Sequence, residues 1–382
     1  MKNWFKYLLV LSTFTGTIIG AGIFGLPYVA SKSGFWPLIY YFIVIGFITI
    51  LANLLFGQII TATPGKHRMP GYAEKYLGPW GKKVTFIAST LALFGVILAY
   101  LILGGEFLFN LFSPLLGGSL ILYVLIYFAA GAYLIFRGAR SIAGTEIIFL
   151  IAIIALVIIF LLVGYSKISF NNLMTIDLKN IFLPYGVVVF AFWGLEVIPE
   201  LNDMLIKYYG HARNLKSIII TSVLISILIY AIFTFVVLGI TGNNTSTEAV
   251  NGLKKSFGEK IIIFGSIFGL ITTFTSYITF GLTLKKIFWY DYKVNKNLAW
   301  AIACFVPLIL YFAGLKNFIG ITGLTGGILL GVEAIIIFLV CIRGENKCEG
   351  TPAYRIWLPN FLKYLLILIL LVGVVVEVFN HF

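Results

Sequence analysis

The sequence predicts an all-α integral membrane protein, and composition, apolar runs and the placement of positive charge support this prediction. Hydrophobic residues make up 60% of the 382 residues, charged residues only 11%, and the mean hydropathy is +1.04. A soluble domain carries about 25% charged residues. A bilayer-spanning helix needs roughly 20 apolar residues. The chain contains eleven such runs, at about 7–31, 36–62, 84–109, 115–136, 141–163, 182–206, 217–241, 261–284, 298–315, 317–342 and 362–380.

Positive charge is distributed unevenly among the connections between these runs. If the amino terminus is cytoplasmic, 20 of the 27 lysines and arginines fall in the inner segments. Membrane proteins carry such an excess in their cytoplasmic loops. We therefore expect a multi-pass protein of the cell membrane with a cytoplasmic amino terminus and an extracellular carboxyl terminus. The net charge of +13 then requires no nucleic acid partner.

The short connections leave one transmembrane domain, residues 1–382, with no soluble module. Cys304, Cys341 and Cys348 form neither a CxxC pair nor an even framework, so they predict no metal site and no disulfide scaffold. The sequence contains no HExxH, Walker or GxSxG motif. It therefore predicts neither an enzyme nor a bound cofactor.

Glycine and proline interrupt the first apolar run, where an unbroken membrane helix is expected. Residues 15–28 (TGTIIGAGIFGLPY) contain four glycines and a proline, which weaken an α-helix. Inside a membrane, freed backbone groups are tolerated only where they line a protein cavity. We therefore expect a break in helix 1 that exposes peptide groups for binding.

The sixth run contains a second interruption, FAFWGLEVIPE at residues 190–200. Gly22 is followed five residues later by Pro27, and Gly194 is followed at the same spacing by Pro199. Five spans separate the two interruptions, so the two helices run in opposite directions. Matching interruptions in two halves indicate an inverted-repeat transporter. The expected 5+5 repeats cover about 7–164 and 182–342, and one extra helix covers about 362–380.

Both interruptions resemble motifs of a known superfamily. Residues 19–28 (IGAGIFGLPY) resemble the first-helix signature of the amino acid–polyamine–organocation superfamily. Their Gly-Leu-Pro-Tyr end is most similar to the amino acid/auxin and aromatic amino acid permease branches. Residues 190–196 (FAFWGLE) are similar to the sixth-helix motif of the same superfamily. The resemblance implies a LeuT-like fold and amino acid transport.

Backbone groups at the two breaks match the two charges of an amino acid. Amides at 21–23, where the outer half of helix 1 begins, suit a carboxylate because the helix dipole reinforces them. Carbonyls at 18–19 and 190–191 suit the ammonium group. The alternative is that these glycines only allow close helix packing. The expected substrate-binding residues are Ile18, Ile19, Gly20, Ala21, Gly22, Ile23, Phe190, Ala191, Phe192, Trp193 and Gly194.

Phe192 and Trp193 flank the second break and are predicted to form one wall of the substrate cavity. Aromatic residues make up 16% of the chain, and most are expected to pack against lipid or neighbouring helices. No acidic or basic side chain is obviously placed to recognise a charged substrate side chain. A neutral amino acid is therefore the expected substrate.

Hydroxyl groups on the eighth span indicate a cation site. Thr272, Thr275 and Ser276 fall on one helical face. Their oxygens, with the carbonyls of Gly16 and Ile19, suit a hard cation such as sodium. The resemblance supports this, since a matching pattern marks the sodium site of sodium-coupled proteins with this fold. The alternative is that the hydroxyls bond to their own helix backbone.

Two carboxyl groups fall inside predicted spans, where they are costly and usually functional. Glu196 adjoins the second break and matches the motif glutamate of the superfamily, and Glu333 lies near the middle of the tenth span. Either suits proton uptake, so both join the expected ion-coupling residues. Glu200 and Glu377 lie near helix ends, where hydration is expected. Some proton-coupled relatives use a lysine in helix 5, and residues 141–163 contain none.

These observations together predict a cation-coupled secondary transporter of neutral amino acids, including aromatic or branched ones, that works by alternating access. Sodium is preferred over protons, and membrane lipid surrounds the bundle. One alternative is a non-transporting amino acid sensor of the same fold, as in the spore germinant receptor subunits that resemble this superfamily. Another is a permease for a different small organic solute, such as a polyamine.

Overall fold

The computed structural model describes residues 3–138, 145–344 and 350–381, and most of these residues are helical. The α-helices are α1 (Asn3–Ile18), α2 (Gly22–Ser33), α3 (Phe35–Ala62), α4 (Met69–Leu77), α5 (Pro79–Leu116), α6 (Leu120–Arg137), α7 (Thr145–Gly164), α8 (Pro184–Phe192), α9 (Ile198–Tyr209), α10 (Leu215–Thr241), α11 (Lys254–Phe257), α12 (Lys260–Lys286), α13 (Lys296–Phe312), α14 (Phe318–Leu324), α15 (Gly331–Gly344) and α16 (Asn360–His381). π-Helical turns continue α12 and α14, at Ile287–Asp291 and Thr325–Leu330. The 3₁₀ turns are Tyr165–Lys167, Phe170–Leu173, Leu178–Asn180, Leu195–Val197, Gly242–Asn244 and Asn251–Leu253.

The prediction of a helical membrane protein is confirmed. Among the described residues, nine helices are long and apolar enough to cross a bilayer, or ten if α1 and α2 form one bent span. The predicted run at 298–315 corresponds to α13, whose 17 residues are slightly short for a straight span. The start of the predicted run at 141–163 lies outside the described residues, and α7 is described from Thr145.

The third span is longer than predicted, because α5 has 38 residues and ends at Leu116 rather than near 109. The chain then turns at Gly117 and Gly118, whose φ values are +65° and +93°. Glycine adopts such positive φ values without the steric penalty of a side chain. The fourth span therefore begins at Leu120 instead of 115.

The connection between α3 and α5 contains α4, a short helix that the apolar runs do not predict. Proline at the second position, Pro70, favours helix initiation, and Gly78 ends the helix with φ +80°. Tyr72 and Tyr76 are buried, and α4 packs against α5 and α15. A nine-residue helix is too short to form a run of about 20 apolar residues.

The predicted break in helix 1 is present. α1 ends at Ile18, α2 begins at Gly22, and the two half-helices meet at an angle of 44°. Pro27 lies inside α2 rather than at the break itself. The glycines therefore open the helix, while the proline lies in the half that follows.

The predicted break in the sixth span is also present. α8 ends at Phe192, and Trp193 and Gly194 are non-helical. The 3₁₀ turn at residues 195–197 then leads into α9, whose second residue is Pro199. Both broken spans thus share one pattern, in which a glycine-containing gap is followed by a proline-containing half-helix.

Glycines let α8 approach its neighbours closely. A methyl group at Gly22 would lie 2.5 Å from the Cα of Ala191, so the two breaks are in backbone contact. A methyl group at Gly186 would lie 2.4 Å from the carbonyl oxygen of Gly323. The helix α8 is therefore packed between the break in helix 1 on one side and α14 with its π-helical turn on the other. Small residues at helix interfaces permit this close approach in membranes.

We expect Gly326→Ala to destabilise the bundle, because its methyl group would lie 1.9 Å from the Gly186 carbonyl oxygen and 2.7 Å from the Phe190 nitrogen. Overpacking of this kind costs about 1–3 kcal/mol. Thermal unfolding of the purified protein in detergent would show a lower melting temperature. Gly46→Ala is the matched control, since its methyl group would meet only the Ile227 side chain. Equal melting temperatures for the two variants would contradict the backbone contact.

Candidate functional site

The start of α2 offers uncapped amides at the break in helix 1. The first amides of any helix lack partners within the helix. No side chain caps this helix start among the described residues, and the Phe24 amide turns back to the Ala21 carbonyl at 3.2 Å. The break residues 19–21 are fully or almost fully buried. This end of α2 therefore has the geometry that favours an anion.

A single hydroxyl joins the two breaks. Tyr230, on α10, lies 2.6 Å from the carbonyl oxygen of Ile18 and 2.8 Å from that of Ala191, and its hydroxyl donates to them. These are two of the carbonyls that the sequence predicts for the substrate ammonium. The side chain is fully buried. Because a hydroxyl has one hydrogen, it is shared between the two acceptors, which leaves both with spare accepting capacity.

A second tyrosine reaches the same break from α5. The Tyr100 hydroxyl interacts with the Ala21 backbone and the Ser276 hydroxyl. A methyl group at Gly20 would lie 1.7 Å from the Tyr100 hydroxyl oxygen. Gly20 is therefore required by this close approach, because any side chain there would displace the tyrosine.

Aromatic rings surround the breaks. Phe24 packs against Phe107, Phe233 and Phe268, with ring centroids 4.8–6.0 Å apart. Trp193, in the second break, is 6% exposed, and its indole N–H has no acceptor among the described residues. Buried indole N–H groups usually find a partner. The predicted aromatic wall thus contains one buried donor that is available to a ligand.

The structure brings together part of the predicted cation site. The Ser276 hydroxyl donates to the Gly16 carbonyl at 3.1 Å, and Thr275 and Gly16 line the same small pocket, which has room for about one water molecule. Thr272 and Thr275 donate to carbonyls of their own helix, as the alternative predicts. A hydroxyl that donates its hydrogen still keeps lone pairs for a cation. Ile19 lies in the break, where its amide donates to the Thr15 carbonyl.

The two intramembrane carboxyl groups meet, which the sequence does not indicate. Glu196, in the 3₁₀ turn after the second break, interacts with Glu333 in the first turn of α15. Ser89, on α5, donates to Glu333 Oε1 at 2.5 Å. All three residues are buried. The contact links the sixth span to α5 and α15 directly beside the break.

Glu200 and Glu377 are not the hydrated groups that the sequence suggests. The Glu200 carboxylate pairs with Arg68 at 2.7 Å and with Lys286, and Arg68 is buried. We call Arg68, Glu200 and Lys286 the charge cluster. Glu377 is buried where α16 packs on α8 and on the π-helical turn. Ion pairs hold Glu200, whose side chain is 21% exposed, and packing buries Glu377, so a position near a helix end does not by itself predict hydration.

The neighbour of Arg68 is electrically neutral. His67 lies in the connection before α4, and burial lowers the pKa of its imidazole below the ordinary value. The Arg68 guanidinium donates to the His67 carbonyl oxygen at 2.9 Å. The charge cluster therefore gains no further positive charge from His67 near neutral pH.

Four residues of this region belong to no sequence motif, namely Tyr100, Tyr230, Ser89 and Arg68. Each lies outside the two break motifs and reaches the site through tertiary packing. The chain contains 21 tyrosines, and neither of these two stands out by position. Only the depth of Tyr100 and Tyr230 within long apolar runs, where a hydroxyl needs a partner, singles them out from interfacial tyrosines.

A helical membrane bundle with two broken spans in backbone contact, each offering peptide groups near a cluster of buried polar side chains, has the architecture of a secondary transporter. Residues 6–380 match the model of the tryptophan/tyrosine permease family, so the chain belongs to that family. It is thus a multi-pass membrane protein of a permease family rather than an enzyme. This agrees with the amino acid permease motifs in its first and sixth spans.

Individual proteins resemble the chain over nearly its whole length. It is 25% identical to "Glutamine transporter 2" of Aliivibrio fischeri, over 92% of this chain and 91% of that protein. It is 22% identical to "Tyrosine-specific transport system 1" of Haemophilus influenzae, over 94% and 93%. The crystal structure of MhsT in complex with L-phenylalanine aligns with a TM-score of 0.70 at 15% identity, over 98% of both chains. This structural likeness shows the fold and agrees with the LeuT-like architecture that the motifs imply.

We expect Tyr230→Phe to loosen the contact between the breaks, because the carbonyls of Ile18 and Ala191 lose their shared donor. Leaving buried acceptors without a partner costs about 1–3 kcal/mol. The melting temperature in detergent should fall accordingly. Tyr277→Phe is the matched control, since that buried hydroxyl has no partner among the described residues. A Tyr230→Phe protein as stable as Tyr277→Phe would show that the bridge contributes nothing.

Proposed function

We propose that the protein is a cation-coupled secondary transporter of neutral amino acids that works by alternating access. The observation that carries the proposal is the backbone contact between two broken helices, where Gly22 lies against Ala191. The family of permeases to which the chain belongs, and the amino acid transporters among its relatives, support it.

The substrate carboxylate would bind the amides at the start of α2, at residues 21–23, where the helix dipole favours negative charge. The ammonium group would bind the carbonyls of Ile18 and Ala191, which already accept one hydrogen from Tyr230 and retain further lone pairs. Both ends of a zwitterion would thus be held by backbone, leaving the side chain to set specificity. The Trp193 indole N–H is a further donor for the carboxylate or a polar side chain.

A neutral side chain fits this environment best. Rings of Phe24, Phe192 and Trp193 flank the breaks, and hydrophobic and aromatic linings with few polar groups are typical of ligand sites. Glutamine and tyrosine, the substrates in the names of two relatives, are both neutral. The breaks are closely packed around Gly22 and Ala191, so a substrate with an aromatic or branched side chain would require the helices to separate.

The residues present are suited to a sodium ion. The carbonyls of Gly16 and Ile19 and the hydroxyls of Thr272, Thr275 and Ser276 would supply five uncharged oxygens, the donor type that hard cations prefer. The 3.1 Å contact between Ser276 and Gly16 already joins α12 to the last turn of α1. A cation there would strengthen that junction, and so link ion binding to the position of helix 1.

Alternating access also requires an arrangement of the whole chain. We infer eleven spans in a 5+5 inverted repeat, at about 7–164 and 182–342, followed by α16. The oppositely directed breaks support the repeat. The excess of lysine and arginine in alternate connections supports a cytoplasmic amino terminus and an extracellular carboxyl terminus.

The decisive experiment is uptake of a panel of radiolabelled amino acids by proteoliposomes that contain the purified protein. We expect concentrative uptake of a neutral amino acid by the unaltered protein. Gly22→Leu should abolish it, because the added side chain would separate the breaks where a methyl group alone would lie 2.5 Å from the Ala191 Cα. Gly46→Ala, which touches only one side chain, should keep it.

Size-exclusion profiles must show that the Gly22→Leu protein is folded, and Gly22→Ala offers a milder test of the same contact. Full uptake by both folded variants would show that the breaks are not the binding site. Ligand binding without uptake in sealed vesicles would instead indicate a sensor. Uptake of polyamines but not of amino acids would show that the protein is a polyamine permease instead.

Sodium and pH gradients imposed separately test the cation. If sodium binds at the predicted oxygens, a sodium gradient should drive uptake, and Thr275→Ala combined with Ser276→Ala should remove sodium dependence. Loss of two ligand oxygens is expected to weaken ion binding by at least about tenfold. Thr283→Ala is a suitable control, because its hydroxyl bonds to the Thr279 carbonyl within α12 and is not one of the predicted ligand oxygens. Uptake driven by pH alone and indifferent to the double substitution would reject sodium.

A further inference from the structure

The carbonyls of Ile18 and Ala191 lie at the ends of two half-helices, where the breaks deprive them of their usual donors. In a continuous α-helix, each carbonyl accepts the amide four residues further along the chain. Among the described residues, no amide beyond the breaks donates to either carbonyl. The Tyr230 hydroxyl instead lies 2.6 Å from the Ile18 oxygen and 2.8 Å from the Ala191 oxygen. A side chain of the protein therefore serves both acceptors that the breaks leave free.

The ring of Tyr230 is packed so that its hydroxyl stays between the two carbonyls. Tyr230 is fully buried on α10, an unbroken helix that packs against α1, α2 and α3. The centroid of its ring lies 5.3 Å from that of Phe192 and 6.2 Å from that of Phe42. Aromatic contacts of this kind are stabilising. Packing therefore holds the donor in place, and the donor connects the two breaks. We call this contact the tyrosine bridge.

The tyrosine bridge bears on the half of a transport cycle in which no substrate is bound. A carrier that accumulates a substrate must return its site across the membrane empty, whereas an exchanger always returns loaded. Peptide carbonyls buried in a membrane without a donor are costly. In the binding mode proposed above, the substrate ammonium serves the Ile18 and Ala191 carbonyls only in the loaded half of the cycle. The Tyr230 hydroxyl is available in both halves.

We infer that Tyr230 is a positioning residue that holds the two breaks together in the empty carrier, and that this bridge allows net uptake rather than exchange alone. This role rests on the amino acid transport proposed above. The hydroxyl has one hydrogen to share between two acceptors, whereas a primary ammonium group has three. Bound substrate therefore joins the breaks by itself, and the bridge is decisive only when the substrate is absent.

Proteoliposomes that contain Tyr230→Phe separate the two modes of transport. Vesicles without internal amino acid report net uptake, and vesicles preloaded with unlabelled amino acid report exchange. We expect the rate of net uptake to fall by at least about fivefold, because buried acceptors lose their donor in the empty carrier. The rate of exchange should stay close to that of the unaltered protein, and retained exchange also shows that the variant is folded.

Tyr277→Phe is the matched control, because it removes another fully buried tyrosine hydroxyl, one that has no partner in the described part of the chain. Both modes of transport should be unchanged in this variant. If net uptake and exchange fall by the same factor in Tyr230→Phe, the inference is overturned, because the residue then acts throughout the cycle. Unchanged net uptake overturns it as well.

Hydrogen–deuterium exchange with mass spectrometry tests the tyrosine bridge in lipid nanodiscs without any transport. In the absence of amino acid, peptides that cover residues 18–24 and 190–197 should exchange faster in Tyr230→Phe than in Tyr277→Phe, because the breaks open more often. A transported amino acid at saturation should remove this difference. Equal exchange in the two substrate-free variants overturns the bridge. A difference that persists with substrate overturns its restriction to the empty carrier.

Failure of this inference differs from failure of the proposed function. If the unaltered protein exchanges amino acids but never accumulates them, the amino acid site stands and the role of Tyr230 in net uptake is overturned. If the unaltered protein neither accumulates nor exchanges any amino acid, the proposed function fails, and the role in net uptake fails with it. The substrate-free comparison of Tyr230→Phe with Tyr277→Phe then still decides whether the hydroxyl holds the breaks together.

Discussion

The backbone contact between the breaks of the first and sixth spans is the constraint on which the rest of the structure depends. Peptide groups freed inside a membrane must find partners, because no water is present to satisfy them. Here each break is covered by the other, with Gly22 against Ala191, and the Tyr230 hydroxyl serves a carbonyl on both sides. The breaks are therefore stable as a pair and would each be unstable alone.

Other buried polar groups connect the two broken spans to neighbouring helices. The Ser276 hydroxyl joins α12 to the Gly16 carbonyl of α1, and Glu196 and Glu333 join the second break to α5 and α15. Each contact thus joins a broken span to an unbroken one. A ligand that bound one of these contacts more tightly in one arrangement would change the free energy of moving the broken spans relative to the remaining helices. Coupling between sites requires such a difference in binding between two arrangements.

Each broken span is also held by a contact with another segment beyond its break. Beyond α2, the Asp177 amide donates to the Ser33 carbonyl at 3.0 Å, which ties the connection after α7 to helix 1. At the other end, the charge cluster ties α9 to α12 and to the connection before α4. In the alternating access proposed above, one tie would open while the other holds. The two ties differ in chemistry, since one is a backbone hydrogen bond and the other consists of ion pairs that respond to hydration.

The sequence by itself determined the membrane-helical fold and the location of both breaks. These features depend on local properties, namely runs of about 20 apolar residues and clusters of glycine with a following proline, which are readable along the chain. Residues 19–28 and 190–196, which resemble motifs of the amino acid–polyamine–organocation superfamily, overlap the same breaks and are equally local. The ends of helices were harder to predict from the sequence. In α5, for example, the turn at Gly117 falls within an apolar run.

Only the tertiary structure decided which polar groups meet. Glu196 and Glu333 are more than 130 residues apart, and nothing in either span indicates that their carboxyl groups share a site with Ser89. Tyr230 likewise reaches the breaks from α10, and Glu200 is paired rather than hydrated. Contacts of this kind depend on how helices cross and how closely glycines let them approach. These are properties of the packed bundle, which no single span carries.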